Sequence, residues 1–488
     1  MLKNYSTKRF SLLPTLNVLA ALTLFIGASM AFSLFVSMAY GDGDTMAILK
    51  AMIITLAVGS IAFILTRHTH AMAPRQVFLS VSLSWISASI FGALPMYFAT
   101  DLSYTDSFFE AMSGFSTTGA SILTDIESMP HGILFWRSFT HWLGGMGIIV
   151  LAVAILPMLG VGGMELYHAE SSGISKDRLT PKLTQTAKAL WKIYLSFTVV
   201  CAVAYYLAGM SIFDAIGHSY STVAIGGFST HDLSIGYFDS VTVESVAIVF
   251  MFLAGINFSL HFFVWRKKNI LEFFKDSEFK AYLLVLSFLS VLIVGYLWNS
   301  GYYQTPEGAL RYGIFQGVSM ATTTGFASVD FSLWPFMLPV LLIFASFVGA
   351  CAGSTGGGIK VVRVLLMFKL AMKEIKKFIH PNAQINIKLN QRSVAESTLV
   401  SVWGFFSLYV IAFIFIMIAL MFTGMDQVTS FSATAASINN LGPGLGDVAQ
   451  NYGAISESAK WILSFSMLLG RLEILTLMAL LHKSFWRF

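Results

Sequence analysis

Long apolar segments separated by short polar ones make up nearly the whole chain. With about 20 residues for one membrane crossing, the pattern predicts transmembrane helices near 15–40, 46–66, 78–98, 132–160, 187–208, 241–265, 280–300, 335–370, 396–422 and 457–482. An even number of crossings places both termini on the same side. The basic N-terminus has the character of a signal peptide, but the first apolar segment is too long and has no convincing cleavage site, so it predicts a retained helix.

Four further segments, near 104–116, 211–223, 306–321 and 426–437, are too short to span a membrane, and each ends in a polar, glycine-containing turn. These four glycine turns are Ser116–Ser121, Ala224–Ser229, Thr322–Ser328 and Ile438–Gly444. Their reference glycines recur at a near-constant spacing: Gly119, Gly227, Gly325 and Gly442. A polar turn within a bilayer is costly unless it lines water or is buried in protein. The pattern therefore predicts short re-entrant helices that enter and leave by one face.

The recurrence of these turns predicts one ring of main-chain oxygens around a shared axis, as in an ion selectivity filter. The predicted ligands are the backbone carbonyls of the two residues before each glycine: Thr117, Thr118, Ile225, Gly226, Thr323, Thr324, Asn440 and Leu441. Because Ile225 and Leu441 are apolar, coordination by the main chain is favoured over coordination by side chains. The alternative is that glycine and threonine only allow helices to pack closely. Four such turns in register favour the filter.

The order of elements predicts an internal repeat. From about residue 78 onward, each unit has an outer helix, a re-entrant helix, a glycine turn and an inner helix. The predicted fold is an all-α membrane protein with four pseudo-symmetric repeats around one central pore, preceded by a helix pair. The predicted boundaries are 1–70 for the pair and 71–180, 181–275, 276–390 and 391–488 for the repeats. Each re-entrant helix directs its partially negative C-terminal end at the pore centre, which favours a cation there.

Composition and charge support a polytopic membrane protein. Of 488 residues, 56% are hydrophobic and 11% are charged, against about 25% charged in soluble domains. Most lysines and arginines lie near the termini and in the segments 67–77, 165–192, 266–280 and 360–395, hereafter the basic face. The positive-inside bias assigns this face, with both termini, to the cytoplasm. Most acids lie on the opposite face, which predicts a vestibule that concentrates cations, although acids that merely avoid the inner face would give the same pattern.

The predicted helix 335–370 is interrupted by a glycine-rich segment at 349–360. Its central residues are Gly353, Ser354, Thr355, Gly356, Gly357, Gly358 and Lys360. So many glycines cannot hold a rigid helix, and irregular backbone at this depth needs water or protein beside it. The segment therefore predicts a flexible loop that crosses the pore as a gate, while a plain hinge remains an alternative. A phosphate-binding loop is excluded because lysine is not followed by serine or threonine.

Arg471 lies inside the last predicted helix, and an arginine within a membrane segment is a candidate functional residue. Glu473 is two positions away, so it faces another side of the helix and is a poor partner. The sequence predicts that Arg471 points into the cavity beneath the filter, where it opposes cations and helps to hold the loop shut. The alternative is a salt bridge between helices without a role in transport.

Several of these segments carry a resemblance to a known family. Their sequences are Thr117-Thr118-Gly119-Ala120-Ser121, Ala321-Thr322-Thr323-Thr324-Gly325-Phe326, Asn439-Asn440-Leu441-Gly442-Pro443-Gly444 and the residues around Gly353. Through them, over essentially its whole length, the chain resembles the membrane subunit of the bacterial Trk/Ktr potassium-uptake family, and most of all its TrkH branch. The second turn, Ile225-Gly226-Gly227, departs from the threonine pattern of that family.

The resemblance implies a potassium pathway with one glycine per filter strand and an intramembrane gating loop around Gly353. It also implies a homodimer in the bacterial inner membrane, bound to a cytoplasmic, TrkA-like regulatory subunit that carries the nucleotide. Potassium is the only ligand expected on this chain, and no nucleic-acid partner is expected. The basic segments 266–268 and 369–377 are suited either to anionic lipid or to the regulatory subunit.

The leading functional prediction is a potassium pore driven by the membrane potential, which supplies about 2.3 kcal/mol per charge per 100 mV. A proton- or sodium-coupled symporter is the alternative, and it would need a carboxylate within the membrane, for which only Glu473 and Glu244 qualify. An intramembrane enzyme would need a Ser/His, paired Asp or His-Glu arrangement, and none is recognisable. His141, His218 and His231 show no metal-ligand spacing and are interpreted as hydrogen-bonded side chains. The sequence therefore predicts a transporter and not an enzyme.

Overall fold

The computed structural model describes residues 12–67, 74–154, 183–472 and 474–486, which are almost entirely helical. The first helices are α1 Leu13–Tyr40, α2 Thr45–Thr66, α3 Pro74–Gly92, α4 Leu94–Ala99, α5 Tyr104–Phe115, α6 His131–Ala154, α7 Leu183–Leu207, α8 Ile212–Ala224, α9 Val241–Ala254 and α10 Phe258–Lys267. The later helices are α11 Ser277–Asn299, α12 Pro306–Ala321, α13 Leu338–Val348, α14 Val361–Ile379, α15 Glu396–Phe422, α16 Gln427–Ile438, α17 Glu457–Arg471, α18 Ile474–Leu481 and α19 Lys483–Trp486.

Short elements connect these helices. Single 3₁₀ turns are formed by Ser234–Phe238, Ile270–Lys275, Phe331–Leu333 and Gly446–Val448. Among the described residues, the sheet structure is one small antiparallel hairpin, β1 Lys388–Leu389 and β2 Arg392–Ser393, in which Lys388 faces Ser393 and Leu389 faces Arg392. Tight turns at Asn390 and Gln391, both with positive φ, close the hairpin.

The predicted multi-pass membrane fold is confirmed. Among the described residues, six helical segments are long and apolar enough to cross a membrane alone: Leu13–Tyr40, Thr45–Thr66, Gln76–Ala99, Ala187–Leu207, Ser277–Asn299 and Glu396–Phe422. The bent pair α9 and α10 would form a seventh span. Their outward faces are lined with exposed apolar side chains, such as Phe35, Val291 and Phe415, because the hydrocarbon interior of a bilayer solvates such side chains without cost.

Four short helices, α5, α8, α12 and α16, lie close to the segments predicted to re-enter. Each begins with a polar residue whose side chain accepts a backbone N–H of the first turn: Ser103, Ser211, Thr305 and Asp426. Such caps satisfy donors that the helix leaves free at its start. The far ends of the four helices are almost completely buried. Each helix therefore starts at a surface and ends in the interior, immediately before a glycine turn.

The second inner helix corrects a prediction. The sequence predicted one helix over 241–265, but α9 ends at Ala254 and α10 begins at Phe258 with a bend of 93°. Gly255 packs against the hydroxyl of Tyr282, where any side chain would collide, and Asn257 caps α10 by accepting the N–H of Ser259 at 2.8 Å. Backbone groups freed at the bend bind the loop 349–360: the Cys351 N–H donates to the Gly255 carbonyl, and the Gly353 carbonyl accepts from Phe258.

Two further predicted helices are interrupted. The segment predicted at 78–98 divides into α3 and α4, with Pro95 in the first turn of α4. The segment predicted at 457–482 divides into α17 and α18, and Glu473 between them lies outside the described residues. Residues 1–11, 68–73, 155–182 and 487–488 also lie outside them, including the basic N-terminus, the predicted helix end at 155–160 and much of the predicted basic segment 165–192. The predicted break at 349–360 is present between α13 and α14.

Candidate ion-conduction site

The four glycine turns share one backbone conformation. In each turn, φ is positive at the glycine and at the residue two positions before it: Thr117 and Gly119, Ile225 and Gly227, Thr323 and Gly325, Asn440 and Gly442. For residues other than glycine, this left-handed region is uncommon and marks a constrained position. The isoleucine in the second turn therefore takes the same conformation as the threonines. The departure of its sequence from the other turns does not change the local geometry.

Each turn is attached to the end of its re-entrant helix by the same hydrogen bond. The residue before the glycine donates its N–H to a carbonyl in the last turn of the helix: Thr118 to Ser113, Gly226 to Ser221, Thr324 to Ser319 and Leu441 to Ala436, all at 2.8–2.9 Å. These bonds occupy the N–H groups on the helix side. The partially negative C-terminal ends of four helices therefore meet at the place where the turns converge.

The turns pack against one another in a closed ring. A Cβ atom on each reference glycine would lie less than 3.0 Å from a carbonyl oxygen of the next turn. The pairs are Gly119 with Gly226, Gly227 with Thr324, Gly325 with Leu441 and Gly442 with Thr118. Since the fourth pair returns to the first turn, the structure brings all four turns together around one axis. A side chain at any of these glycines would displace an oxygen of the neighbouring turn.

The site is buried, and its chemistry is that of neutral oxygen. Thr117, Thr118, Thr323 and Thr324 are fully buried, and Ile225, Asn440 and Leu441 are nearly so. No residue of the turns is charged. Such a site can replace part of the water around a cation by carbonyl oxygens without a fixed negative charge that would hold the ion too tightly.

A buried ion pair behind the turns was not predicted from the sequence. Arg137 donates from Nε to Glu110 at 2.8 Å, and the two side chains are 1% and 0% exposed. Arg137 also donates to the Ser229 carbonyl at 3.2 Å and to the Ser121 hydroxyl at 3.1 Å. Glu110 further accepts the N–H of Ile122 at 2.9 Å. The pair thus joins α5 and α6 to the chain segments at the ends of the first and second turns.

Similar braces occur beside the other three turns. Gln316 accepts the N–H of Ser328 at 3.3 Å, and Ser432 accepts that of Leu445 at 2.8 Å. His218 makes the corresponding contact beside the second turn, between its Nε2 and the Ser229 hydroxyl at 2.9 Å. Glu110, His218 and Gln316 stand at the same distance before their glycines. That shared position is the signal from which these three braces could have been found, whereas Ser432 of the fourth brace stands one residue earlier relative to Gly442.

The loop 349–360 lies directly against three of the four turns. The Thr355 hydroxyl donates to the Val223 carbonyl at 2.9 Å, just before the second turn. The Gly357 N–H donates to the Thr323 hydroxyl at 2.7 Å, and the Gly358 N–H donates to the Asn439 carbonyl at 3.1 Å. A Cβ atom on Gly357 would overlap with that carbonyl. The glycines therefore allow the loop backbone to approach the ring closely.

The remaining predicted residues of the loop 349–360 stabilise the conformation of the loop. Gly353 binds the break between α9 and α10, as described above, and the Ser354 hydroxyl donates to the Cys351 carbonyl at 2.5 Å. Gly356 lies against the Thr322 carbonyl, with no room for a side chain. Lys360 has a positive φ, and its Nζ donates to the Gly356 carbonyl. All seven predicted loop residues thus belong to one compact, hydrogen-bonded segment.

Arg471, at the end of α17, contacts the loop 349–360. Its side chain is 7% exposed, and NH1 donates to the Thr355 carbonyl at 3.1 Å. Nε and NH2 have no hydrogen-bond partner among the described residues, and no ion pair of Arg471 occurs among them. Because Arg471 is buried against a loop that contains no carboxylate, it places a positive charge next to the ring. Glu473 lies outside the described residues.

The three candidate histidines are hydrogen-bonded. His141 lies beside the Ser221 hydroxyl at 3.2 Å and stacks on Phe228 with ring centroids 4.1 Å apart. His218 is bound at both ring nitrogens, by the Asp214 carbonyl and the Ser229 hydroxyl. His231 forms ion pairs with Glu127 and Asp214 at 3.1 and 3.4 Å. Within the described residues, no group of three metal-binding side chains comes together.

An all-helical chain with several membrane spans and four re-entrant helices that meet at buried, neutral oxygens defines a multi-pass membrane transport protein. Residues 44–486 match the TrkH family, described as cation transport proteins. The chain belongs to this family and is therefore a transporter and not an enzyme.

Its relatives cover nearly its full length. It is 47% identical to the Trk system potassium uptake protein TrkH of Halomonas elongata, over 98% of this chain and 100% of that protein. It is 46% identical to the protein of the same name from Escherichia coli K12, over 96% and 98%. The crystal structure of the potassium transporter TrkH from Vibrio parahaemolyticus superposes with a TM-score of 0.91, at 43% identity, covering 98% of this chain and 100% of that one.

Proposed function

We propose that this chain is the potassium-conducting membrane subunit of a Trk-type uptake system. The observation that carries the proposal is the closed ring of glycine turns, in which each glycine adjoins an oxygen of the next turn. The proposed ligands are the carbonyl oxygens of Thr117, Thr118, Ile225, Gly226, Thr323, Thr324, Asn440 and Leu441. The names of the curated relatives, potassium uptake proteins at 46–47% identity, support potassium as the ion.

The loop 349–360 is proposed to be the gate. It makes hydrogen bonds to residues at three of the four turns, so an ion leaving the ring towards the basic face would meet the loop before any open space. Arg471 strengthens the barrier in two ways. It ties the loop to α17 through the Thr355 carbonyl, and its positive charge opposes a cation at short range, where the low dielectric screens charges poorly. Opening requires the loop to move away from the ring.

The surroundings of the pore complete the proposal. The basic face is assigned to the cytoplasm of a bacterium, with the chain in the inner membrane and both termini inside. The repeat units are 71–180, 181–275, 276–390 and 391–488, with residues 1–70 as a peripheral pair. The proposed assembly is a homodimer, in contact with lipid, with a cytoplasmic nucleotide-binding subunit. The relatives' designation as Trk system proteins supports membership in a system of several components.

Rubidium flux into vesicles that contain the purified chain tests the function. Flux that follows an imposed voltage and needs no ion gradient supports the potassium pore. Flux that requires a proton or sodium gradient would instead establish a coupled symporter. Flux that is equal for rubidium and sodium would contradict the assignment of the ring as a selectivity filter.

A further inference from the structure

The carboxylate of Glu278, near the basic face, binds the loop 349–360. Glu278 lies in the first turn of α11 and is 1% exposed. Its Oε1 accepts the N–H of Ala352 at 2.7 Å and the N–H of Val362 at 3.3 Å. These two residues stand on either side of the glycine run Gly353–Gly358. One carboxylate therefore binds both ends of the segment that contacts the ring.

The same turn of α11 is bound to the hairpin formed by β1 and β2. The Asn390 side chain accepts the N–H of Ser277 at 2.6 Å and donates to the Asp276 carboxylate at 2.9 Å. The Asn390 N–H donates to the Ser277 hydroxyl at 3.3 Å. Three hydrogen bonds thus fix the hairpin tip to the residues immediately before Glu278.

Apolar packing provides a second connection between the hairpin and the loop. Ile387 and Leu389 are 6% and 4% exposed and belong to one buried cluster with Ala352 and Val362. Ala352 and Val362 are the two residues whose N–H groups bind Glu278. Hydrogen bonds and side-chain contacts therefore link the hairpin to the same two points of the loop.

The opposite side of the hairpin is open to solvent. Lys388, Gln391, Arg392 and Ser393 are exposed, and they lie in the segment 360–395 that is assigned to the basic face. A polar, exposed tip with a buried apolar side is suited to receive contacts from the aqueous phase and to move the residues beneath it.

We propose that Glu278 is a positioning residue that holds the loop 349–360 against the ring, and that the hairpin 387–394 couples the basic face to the loop through Asn390. The inference rests on the proposed function, because the loop must be the gate for its position to change flux. Hydrogen bonds to an ionised acceptor are about twice as strong as neutral ones, so a carboxylate is well suited to hold two backbone N–H groups. Displacement of the hairpin pulls the first turn of α11, and Glu278 moves with it.

Rubidium flux into vesicles is the first test, with Glu278→Ala, Glu278→Gln and Asn390→Ala. We expect Glu278→Ala to raise basal flux about ten-fold, because an unmade hydrogen bond to a charged group has an effect of this order. Glu278→Gln keeps an acceptor oxygen and should restore most of the closed behaviour. The preference for rubidium over sodium should stay unchanged in all three variants, since the ring itself is intact; a general loss of structure would reduce it.

Gln391→Ala is the matched control for Asn390→Ala. Both residues have positive φ, which alanine tolerates less well than asparagine does, so Asn390→Ala adds backbone strain to the loss of its hydrogen bonds. The Gln391 side chain is exposed, and among the described residues it makes no hydrogen bond to α11. We expect increased flux from Asn390→Ala alone. If Asn390→Ala and Gln391→Ala behave alike, the coupling through the hairpin is wrong.

Cys351 gives a readout that does not depend on transport. It precedes Ala352 and is 1% exposed. In a Cys201→Ser background, the rate of Cys351 modification by a maleimide reports how often the loop leaves its site. Glu278→Ala and Asn390→Ala should raise this rate about ten-fold, and Gln391→Ala should not.

The outcomes separate the two proposals. If Arg471→Ala raises flux and Glu278→Ala changes neither flux nor Cys351 labelling, the role of Glu278 is wrong and the gate remains. If both variants change labelling but neither changes flux, the loop moves without gating, and the proposed gate fails together with this inference.

Discussion

Asn440 and Thr118, which belong to the last and first glycine turns, are joined by a hydrogen bond from Asn440 Nδ2 to Thr118 Oγ1 at 3.0 Å. The same amide nitrogen lies 3.0 Å from the Met467 carbonyl of α17. This side chain therefore closes the ring between the fourth and first turns. It also fixes the ring to the helix that carries Arg471.

Asn440→Ala should weaken both the closure and the turn. Alanine removes the amide donor and is less tolerant than asparagine of the positive φ at this position. We expect a loss of about 1–3 kcal/mol in stability, seen as a lower melting temperature of the purified protein, and a reduced preference for rubidium over sodium. Asn299→Ala, at the exposed end of α11, is the control and should alter neither.

Gly325→Ser and Gly119→Ser should weaken ion selectivity. At each position φ is positive, and a side chain would collide with the Leu441 or Gly226 carbonyl. The oxygen must move, and the proposed distances between the ion and the carbonyl oxygens change with it. Selectivity measured from competing rubidium and sodium uptake provides the test. Gly295→Ser is matched to them, since a Cβ atom at Gly295 meets nothing within 4 Å. Full discrimination in Gly325→Ser would count against the filter.

Arg471→Ala should raise basal flux by about one order of magnitude or more, because a hydrogen bond from a charged group contributes about 1.5–3 kcal/mol and the positive charge beneath the ring is also removed. Rubidium uptake without any regulatory partner measures the change. Arg471→Lys keeps the charge and should remain closer to the unmodified protein. Arg266→Ala, at an exposed site on the basic face, controls for loss of an arginine. Unchanged uptake in Arg471→Ala would show that the residue is structural.

Breaking the buried pair of Glu110 and Arg137 should be costly. Removing one member, as in Glu110→Gln or Arg137→Met, leaves the other partner uncompensated, which costs about 3–5 kcal/mol. The combined variant Glu110→Leu with Arg137→Met should recover much of the loss, because neither charge is then buried alone. Thermal unfolding followed by tryptophan fluorescence measures both effects. Lys275→Ala, which breaks an exposed ion pair with Glu272, should have little effect.

The His231 cluster on the acidic face should make stability depend on pH. Partial burial lowers the pKa of His231, but the neighbouring Asp214 and Glu127 carboxylates outweigh it, so the pKa is raised above its usual value. A raised pKa contributes stability that is fully present below about pH 6.5, the unfolded value, and is lost as pH rises through the folded value. The melting temperatures of the unmodified protein and His231→Gln should therefore converge at high pH. Asn299→Ala, which removes no titratable group and lies at the exposed end of α11, is the control and should leave the pH dependence unchanged.

The fold was largely predictable because its main signals are local. A polar turn after a short apolar helix marks each re-entrant element, and the glycines report directly on the positive φ that the turns require. The interruption of the predicted helix 335–370 by the loop 349–360 was predictable for the same reason. The positions of Gly119, Gly227, Gly325 and Gly442 around one axis then followed from repetition.

Other features depend on partners that are distant in sequence. The bend at Gly255 is stabilised by Cys351 and Gly353 of the loop 349–360, and nothing in 241–265 alone marks it. Glu110 and Arg137 belong to different helices, so no helical spacing relates them. The attachment of Asn390 to Asp276 and Ser277 arises from a hairpin too short to give a strand pattern. Long-range pairing of this kind is determined by tertiary packing.

The circular order of contacts, from Gly119 to Gly226 and finally from Gly442 back to Thr118, occurs within one polypeptide. In a channel assembled from four identical chains, a substitution in one glycine turn would appear in all four turns of the ring at once. Here a single codon alters one quadrant and leaves three intact, as the isoleucine of the second turn illustrates. Under the proposed function, evolution can therefore adjust the preference for one alkali ion over another in small, separate increments.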